Sequence, residues 1–216
     1  MAEQIGHGPP TEIAAIDGYI LAGGASRRMG SDKSQLMLGG ETMLRRAASA
    51  LRTVSDRVAA VGVSPENSTG LPAIPDEFDT GGGQRRGSIV GLHAALRNSA
   101  ADWAAVLACD MPLVGGELFK RLVTFVRDDV DAIVPVQPDG RVQPLCALYR
   151  RDACLPVVEE MLRSGEWKLQ NLFDRVRTRR VDFDEVRDLE NAELFFLNVN
   201  TPEEYENAKA VIGIDG

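Results

Sequence analysis

The chain has 216 residues, of which 44% are hydrophobic and 26% are charged, as in an ordinary globular protein. Its formal net charge of −8 argues against nonspecific binding to nucleic acid or to anionic membranes, because both need a basic surface. The apolar runs are shorter than the roughly 18 residues that indicate a membrane helix, so a membrane span is not expected. Three cysteines without a regular spacing predict a reduced, cytoplasmic protein.

The N-terminal stretch and the rest of the chain differ in character. Residues 1–16 lack the basic and continuous apolar regions of a secretory signal, and we expect a flexible extension there. No linker-like segment or internal repeat divides the remainder. We therefore expect a single domain over residues 17–216.

The first half of the chain alternates short apolar segments with segments of helical periodicity. A strand is predicted to end over 19–22, and a second strand is predicted over 58–61. Between them, Thr42 is placed to cap a helix whose apolar residues recur at three- and four-residue spacing through Leu51. The stretch 64–86 is rich in Pro, Gly, Asn and Thr and is predicted to be a long surface loop.

The second half continues the alternation and then loses its regularity. Helices are predicted over 89–96, 116–126, through 161–162, over 169–173 and from Pro202, and the first of these is expected to be amphipathic. Strands are predicted over 103–109, 132–136, 143–149, 180–183 and 194–199. The whole pattern predicts an α/β protein whose mostly parallel sheet is covered by helices on both faces.

A glycine-rich segment, LAGGASRRMGSDK, begins at Leu21 directly after the first predicted strand. Gly23 and Gly24 allow the backbone to approach a ligand closely, so that amide groups can point at phosphate oxygens. Arg28 and Lys33 add positive charge. The spacing matches neither the Walker loop nor the dinucleotide-binding fingerprint. The segment therefore indicates a different loop that binds a triphosphate.

Two oxygen-bearing side chains follow later apolar segments. Asp110, in VLACDMP, comes at the end of a predicted buried strand, where a carboxylate suits Mg²⁺; the alternatives are a helix cap or an ordinary turn. Asn200, in NVNTPEEY, is a candidate cap of the last helix, and its amide oxygen is a weaker ligand for Mg²⁺ than a carboxylate.

Four segments together resemble one family. The loop at 21–33, VLACDMP at 106–112, QPLCALY at 143–149 and NVNTPEEY at 198–205 look like the corresponding motifs of molybdenum cofactor guanylyltransferases, in the same order. The resemblance implies a three-layer α/β/α, Rossmann-like nucleotidyltransferase fold. It also implies transfer of GMP from MgGTP to the phosphate of molybdenum-molybdopterin, with release of pyrophosphate. Mg²⁺ is the expected cofactor, with Mn²⁺ as the alternative, and GTP is the expected nucleotide substrate.

The resemblance also implies roles for individual residues. Asp76 matches the position of a family aspartate, with Asp79 as a nearby competitor, whereas Gly62 replaces an Asn that often contacts the nucleotide. The implied catalytic residues are Lys33, Arg28 and Asp110, and the implied metal ligands are Asp110 and Asn200. The implied nucleotide-binding residues are Leu21, Ala22, Gly23, Gly24, Lys33, Asp76 and Asp110.

The acceptor side is expected in the second half of the sheet. The resemblance implicates Gln143, Pro144 and the segment GEWKLQNLF at 165–173, which contains Lys168, in binding molybdopterin. It also implies partner proteins that deliver molybdopterin or receive the finished cofactor. Trp167 either stacks on the pterin or packs in the core, and we favour the core. His93 is expected on a helix surface, and the three cysteines are expected to be small buried side chains.

Three other functions compete with guanylyl transfer at this stage. The chain can be a molybdopterin cytidylyltransferase, another small-molecule nucleotidyltransferase, or a nucleotide-binding protein without turnover. The presence of Lys33 and Asp110 argues against the last of these.

Overall fold

The computed structural model describes residues 14–23, 33–79, 84–85 and 87–213. Gly24 and Arg28 lie outside these residues, as does most of the predicted N-terminal extension. That residues 17–216 form a single domain stays a prediction. No helix among the described residues has both the length and the apolar character needed to span a bilayer.

The strands are mostly short, and the longest ones are buried. Among the described residues they are β1 (Ile16–Leu21), β2 (Met37–Leu38), β3 (Glu41–Thr42), β4 (Arg57–Val61), β5 (Ala73–Ile74), β6 (Phe78–Asp79), β7 (Gln84–Arg85), β8 (Trp103–Ala108), β9 (Ala132–Pro135), β10 (Cys146–Arg150) and β11 (Thr178–Val181). Every residue of β1 and β8 is buried.

A seven-stranded sheet in the order β11-β9-β10-β8-β1-β4-β5 forms the centre of the protein. Its neighbouring strands are parallel except at β10, which is antiparallel to both β8 and β9. The strand order reverses at β1, since the chain goes first to β4 and β5 on one side and then returns to β8 on the other. Such a reversal is where open α/β sheets form their ligand sites.

The helices cover both faces of this sheet. They are α1 (Met43–Leu51), α2 (Ser88–Asn98), α3 (Gly116–Val123), α4 (Arg151–Ser164) and α5 (Pro202–Ile212). In β8, Trp103 and Leu107 pack on the side of α1 and α3, whereas Val106 packs on the side of α2 and α4. This alternation follows from the two-residue period of a strand and creates a separate hydrophobic core on each face. The predicted α/β/α architecture is confirmed.

Threonine hydroxyls begin two of these helices, of which the sequence predicted only the cap at Thr42. The hydroxyl of Thr42 accepts a hydrogen bond from the backbone N–H of Arg45 at 3.2 Å, which confirms the predicted start of α1. The hydroxyl of Thr201 accepts one from the N–H of Glu204 at 3.2 Å, and the Glu204 carboxylate accepts one from the N–H of Thr201 in return. Each cap satisfies donors that the first helical turn leaves free.

Two predicted elements are wrong. The stretch 64–86 is not only a loop, because Ala73–Ile74 adds an edge strand to the sheet and Phe78–Asp79 pairs with Gln84–Arg85. Two-residue strands are too short to show a periodicity. The predicted strand over 194–199 is instead a 3-10 turn at Ala192–Leu194 followed by irregular chain. Phe195 and Val199 of this stretch are buried in the core by packing and not by strand pairing, and Phe196 and Leu197 are partly buried against it.

The environment of α2 also differs from the prediction. Every residue from Ile89 to Leu96 is buried, so the helix is not amphipathic over that stretch. His93 is only 5% exposed and meets the ring of Phe78 edge-on at 5.1 Å between ring centroids. The expectation of a surface histidine is therefore wrong, because α2 lies between the sheet and α4 instead of facing solvent.

Candidate active site

Two cavities meet at the carboxyl ends of β1 and β8. The smaller one, about 230 Å³, is lined by the turn after β1, by Lys33 and by the start of α2. The larger one, about 660 Å³, extends towards β11. Asp110, Leu145 and Asn200 line both. We call the first the nucleotide-side cavity and the second the acceptor-side cavity. Their shared wall is the place where two ligands can meet.

The turn after β1 is held by backbone hydrogen bonds. The N–H groups of Ala22 and Gly23 both donate to the carbonyl oxygen of Val61, at 2.9 and 3.1 Å, and the carbonyl of Leu21 accepts from the N–H of Cys109 at 3.0 Å. Leu21, Ala22 and Gly23 therefore have fixed positions at the mouth of the nucleotide-side cavity, which all three line. The expectation that the Gly23 amide points at a phosphate is wrong, because that N–H is bonded to Val61 within the fold.

Two residues, Gly62 and Asp76, are packed closely beneath that turn. A Cβ atom added to Gly23 would lie 2.3 Å from a carboxylate oxygen of Asp76, and one added to Gly62 would lie 2.5 Å from the Cα of Gly23. Gly62 has a φ of +81°, a conformation that L side chains rarely adopt. Asp76 is 4% exposed. The predicted Asp76 is thus brought against the glycine turn, and Gly62 is required there by geometry.

Asp110 lies two residues beyond β8, in a turn in which the N–H of Met111 donates to the carbonyl of Ala108 at 3.2 Å. The Asp110 carbonyl accepts a hydrogen bond from the N–H of Val199 at 2.8 Å, which ties this turn to the segment before α5. Burial raises the pKa of the Asp110 carboxyl above its ordinary value, and the nearby Lys33 ammonium opposes that rise. The carboxyl therefore faces a pocket where a cation stabilises its charged form.

Lys33 and Asn200 are in direct contact although 167 residues separate them in the chain. The ammonium of Lys33 donates a hydrogen bond to Oδ1 of Asn200 at 2.8 Å. The carboxylate of Glu204 accepts from the backbone N–H of Asn200 at 2.6 Å and so fixes the backbone of this residue. Thr201, rather than Asn200, caps α5. The side chain of Asn200 is therefore directed into the site and not used as a helix cap.

The oxygen atoms at the shared wall are of the kind that Mg²⁺ prefers. Asp110 offers a carboxylate and Asn200 an amide oxygen, and both line the two cavities. Within the described part of the chain, no group of three or more His, Cys, Asp or Glu side chains is arranged to hold a metal. A small number of protein oxygens is what Mg²⁺ commonly uses when substrate phosphates complete its coordination.

The acceptor-side cavity contains the residues that the resemblance implicated and several that it did not. Gln143, Pro144 and Lys168 all line it. Two further polar residues of the lining, Gln170 and Asn198, lie in segments that the resemblance had named, whereas Arg141 and Arg180 were not identified from the sequence. Arg141 and Arg180 lie outside those motifs and far from each other in the chain, so no local motif could have identified them. Trp167 packs against the hydrophobic core, in the arrangement that we favoured.

The remaining predicted residues include two outside the described residues and three cysteines, of which Cys109 lines the nucleotide-side cavity. Gly24 and Arg28 lie outside the described residues, and only the backbone of Asp79 is described, in β6. Cys109, Cys146 and Cys154 are buried and not disulfide-bonded, as expected. Burial raises the pKa of the Cys154 thiol to about 12, which makes it unreactive.

A mostly parallel sheet with a glycine turn, a lysine and a carboxylate at the reversal of strand order is the arrangement of a nucleotidyltransferase. Comparison with known proteins agrees: residues 18–181 match the MobA-like NTP transferase domain. The chain belongs to this family of MobA-like nucleotidyltransferases.

Individual relatives cover nearly the whole chain. A molybdenum cofactor guanylyltransferase of Desulfosudis oleivorans is 35% identical over 92% of this chain and 96% of its own length. A probable molybdenum cofactor guanylyltransferase of Pelotomaculum thermopropionicum is 37% identical over 90% of this chain and 92% of its own. The crystal structure of molybdopterin-guanine dinucleotide biosynthesis protein A from Archaeoglobus fulgidus superposes with a TM-score of 0.73 at 25% identity, covering 91% of this chain and 98% of that one.

Proposed function

We propose that this protein transfers GMP from GTP to the phosphate of molybdenum-molybdopterin, forming the guanine dinucleotide form of the cofactor. The observation that carries the proposal is the meeting of the two cavities at Asp110 and Asn200. A nucleotide in the smaller cavity and a phosphate-bearing acceptor in the larger one can bring their phosphates together there. The relatives named above, at 35% and 37% identity over most of the chain, support this choice of substrates.

The reaction needs positioning and charge neutralisation rather than a protein nucleophile. An oxygen of the acceptor phosphate bonds to the α-phosphorus of GTP, and the bond from that phosphorus to the oxygen bridging the α- and β-phosphates breaks, so that pyrophosphate leaves with the electron pair. A phosphate monoester is already ionised near neutral pH, so no general base is required. The Lys33 ammonium lowers the repulsion between the two anionic reactants.

The metal would be held by Asp110, with Asn200 as a second oxygen donor. When bound, Mg²⁺ supplies positive charge to the phosphates and orients them. Asn200 Oδ1 now accepts a hydrogen bond from the Lys33 ammonium, and two cations on one oxygen repel each other. A metal can therefore bind that oxygen only after the Lys33 ammonium has released it. The triphosphate is the anion that we expect Lys33 to bind instead.

The nucleotide contacts follow from the same arrangement. Leu21, Ala22 and Gly23 form the mouth of the nucleotide-side cavity, in a turn held by the carbonyl of Val61 and packed against Asp76. The roles of Gly24 and Arg28 stay predictions from the sequence. We place the reaction in the cytoplasm, in keeping with buried cysteines that form no disulfide, and we expect proteins that deliver molybdopterin or accept the product as partners.

The test of this function is pyrophosphate release from MgGTP in the presence of molybdenum-loaded molybdopterin. We expect release that depends on both the acceptor and the metal. Asp110→Asn, which preserves shape and removes charge, should abolish it while leaving the unfolding midpoint nearly unchanged. Asp152→Asn is the matched control, because Asp152 is an exposed aspartate on α4 that lines neither cavity. Full activity in Asp110→Asn would overturn the assignment of the metal ligand.

A further inference from the structure

The lining of the acceptor-side cavity has more basic than acidic side chains, although the protein as a whole is acidic and although Arg141 pairs with Asp139 at 2.7 Å outside the lining. The described lining contains the three cations Arg141, Lys168 and Arg180 and the one acid Asp110, whereas the chain carries a net charge of −8. A local reversal of sign in a cleft concentrates anionic ligands there. The inference below rests on the proposed function, since it concerns the acceptor that this cavity would bind.

Arg180 lies at the far end of this cavity from Asp110. β11 is parallel to β9, which is antiparallel to β10, which is antiparallel to β8, so β11 and β8 run in the same direction. Three strand spacings separate them in the sheet, which places the backbones of Arg180 and Asp110 about 14 Å apart or more. The cavity of about 660 Å³ is also much larger than a phosphate group and falls in the size range of whole ligands.

The side chain of Arg180 is held only weakly by the protein. It pairs with Asp174 at 3.3 Å, and the two side chains are 55% and 76% exposed. Exposed ion pairs of this kind contribute about 1 kcal/mol or less, because water and salt screen them. An anionic group of a ligand can therefore replace Asp174 as the partner of Arg180 without a large energetic cost.

The chemistry of the acceptor indicates which group Arg180 meets. Molybdenum-molybdopterin has a phosphate, a neutral pterin and an anionic metal-oxo centre carried by two thiolate sulfurs. The phosphate has to lie at Asp110 and Asn200 for transfer to occur. We propose that Arg180 is a specificity-determining residue that contacts the anionic metal-oxo centre, so that the enzyme binds the metal-loaded acceptor more tightly than the metal-free one.

Steady-state kinetics with two acceptors test this proposal. GMP transfer is measured at saturating MgGTP while the concentration of molybdenum-loaded or metal-free molybdopterin is varied. Arg180→Gln should raise the KM for the metal-loaded acceptor about tenfold, the loss expected for one charge-assisted hydrogen bond. It should leave the KM for GTP and for the metal-free acceptor within about twofold of wild type. Arg180→Lys should restore part of the loss.

Arg187→Gln is the matched control. Arg187 is also an exposed arginine paired with an aspartate, Asp184, at 3.1 Å, and it lines neither cavity. Its replacement should change neither KM.

Two results would overturn the proposal. Equal losses for both acceptors in Arg180→Gln would show that Arg180 contacts the phosphate or the pterin, and unchanged kinetics would show that it contacts no part of the acceptor. These failures differ from failure of the proposed function itself. In that case the wild-type protein would transfer GMP to neither acceptor.

Discussion

Replacement of Gly62 by alanine tests whether the close contact beneath the glycine turn shapes the nucleotide site. The new Cβ would lie 2.5 Å from the Cα and 2.7 Å from the N of Gly23, and 2.9 Å from a carboxylate oxygen of Asp76. Contacts this short do not occur in folded proteins, so the turn or the strand must shift. Because Gly23 lines the nucleotide-side cavity, the shift should reach bound nucleotide.

The expected loss of unfolding free energy in Gly62→Ala is the sum of two costs. An L residue in the left-handed conformation at φ +81° costs about 1–2 kcal/mol. Relief of the overlap with Gly23 costs a further ~1–3 kcal/mol, as in other overpacked sites. Gly70→Ala separates the two terms, because Gly70 has a φ of +85° and nothing lies within 4 Å of its added Cβ. Gly70→Ala should show the first cost only.

Urea unfolding and calorimetric titration with MgGTP measure the two effects. We expect Gly70→Ala to lower the free energy of unfolding by about 1–2 kcal/mol with normal GTP affinity. Gly62→Ala should lose ~2–5 kcal/mol and weaken GTP binding about tenfold or more. Equal stability losses and equal GTP affinities in the two variants would refute the steric reasoning.

Three further changes probe the network around Asn200 and the buried histidine. Glu204→Ala removes the acceptor for the N–H of Asn200, and we expect a loss of about 1 kcal/mol in unfolding free energy and weaker MgGTP binding by calorimetry. Asn200→Asp turns the contact with Lys33 into an ion pair, so binding of GTP without metal should weaken about tenfold by calorimetry. Burial lowers the pKa of His93 below its ordinary 6.5, so stability should fall as the pH drops below 6.5, where the unfolded chain gains a proton that the folded one does not. His93→Leu should remove this part of the pH dependence of urea unfolding.

Each of these changes has a control or a contradicting outcome. Glu206→Ala removes an exposed glutamate of the same helix, which pairs with Lys209 at 3.0 Å, and should change GTP binding little. Glu204→Gln keeps an acceptor oxygen and should retain most of the wild-type stability. Wild-type affinity for metal-free GTP in Asn200→Asp would show that Lys33 is not held by residue 200 in solution. Parallel pH profiles for wild type and His93→Leu would show that Glu159, at 3.6 Å, compensates for the burial of His93.

Local patterns in the sequence predicted most of the sheet and its helices. The cap at Thr42 depends on a neighbour three residues away, and the long buried strands are visible as apolar runs. The cap of α5 is Thr201 rather than its neighbour Asn200, which the sequence offered as a candidate. The edge strand Ala73–Ile74 was missed because two residues carry no periodicity, and its pairing with β4 is set by tertiary structure. The burial of His93 was missed for a related reason, since it depends on α4 and Phe78 rather than on α2 itself.

The sequence predicted those site residues whose side-chain type suits one chemical role, such as a glycine in a tight turn, a lysine beside phosphates or a carboxylate for a metal. The glycine turn, Lys33 and Asp110 were identified from the sequence, and the structure places Gly23, Lys33 and Asp110 around one cavity. The need for glycine at position 62 and the placement of Arg180 were not predictable. Both depend on the distance between strands that are remote in sequence, and no local motif encodes that distance.

The identity of the product shows whether this protein transfers GMP to molybdenum-molybdopterin. Wild-type protein is incubated with molybdenum-loaded molybdopterin, Mg²⁺ and equal concentrations of GTP and CTP, and the products are identified by mass spectrometry. We expect the guanine dinucleotide form of the cofactor to dominate, with one pyrophosphate released for each product formed. Accumulation of the cytosine dinucleotide, or of neither dinucleotide while the acceptor stays intact, would contradict this expectation.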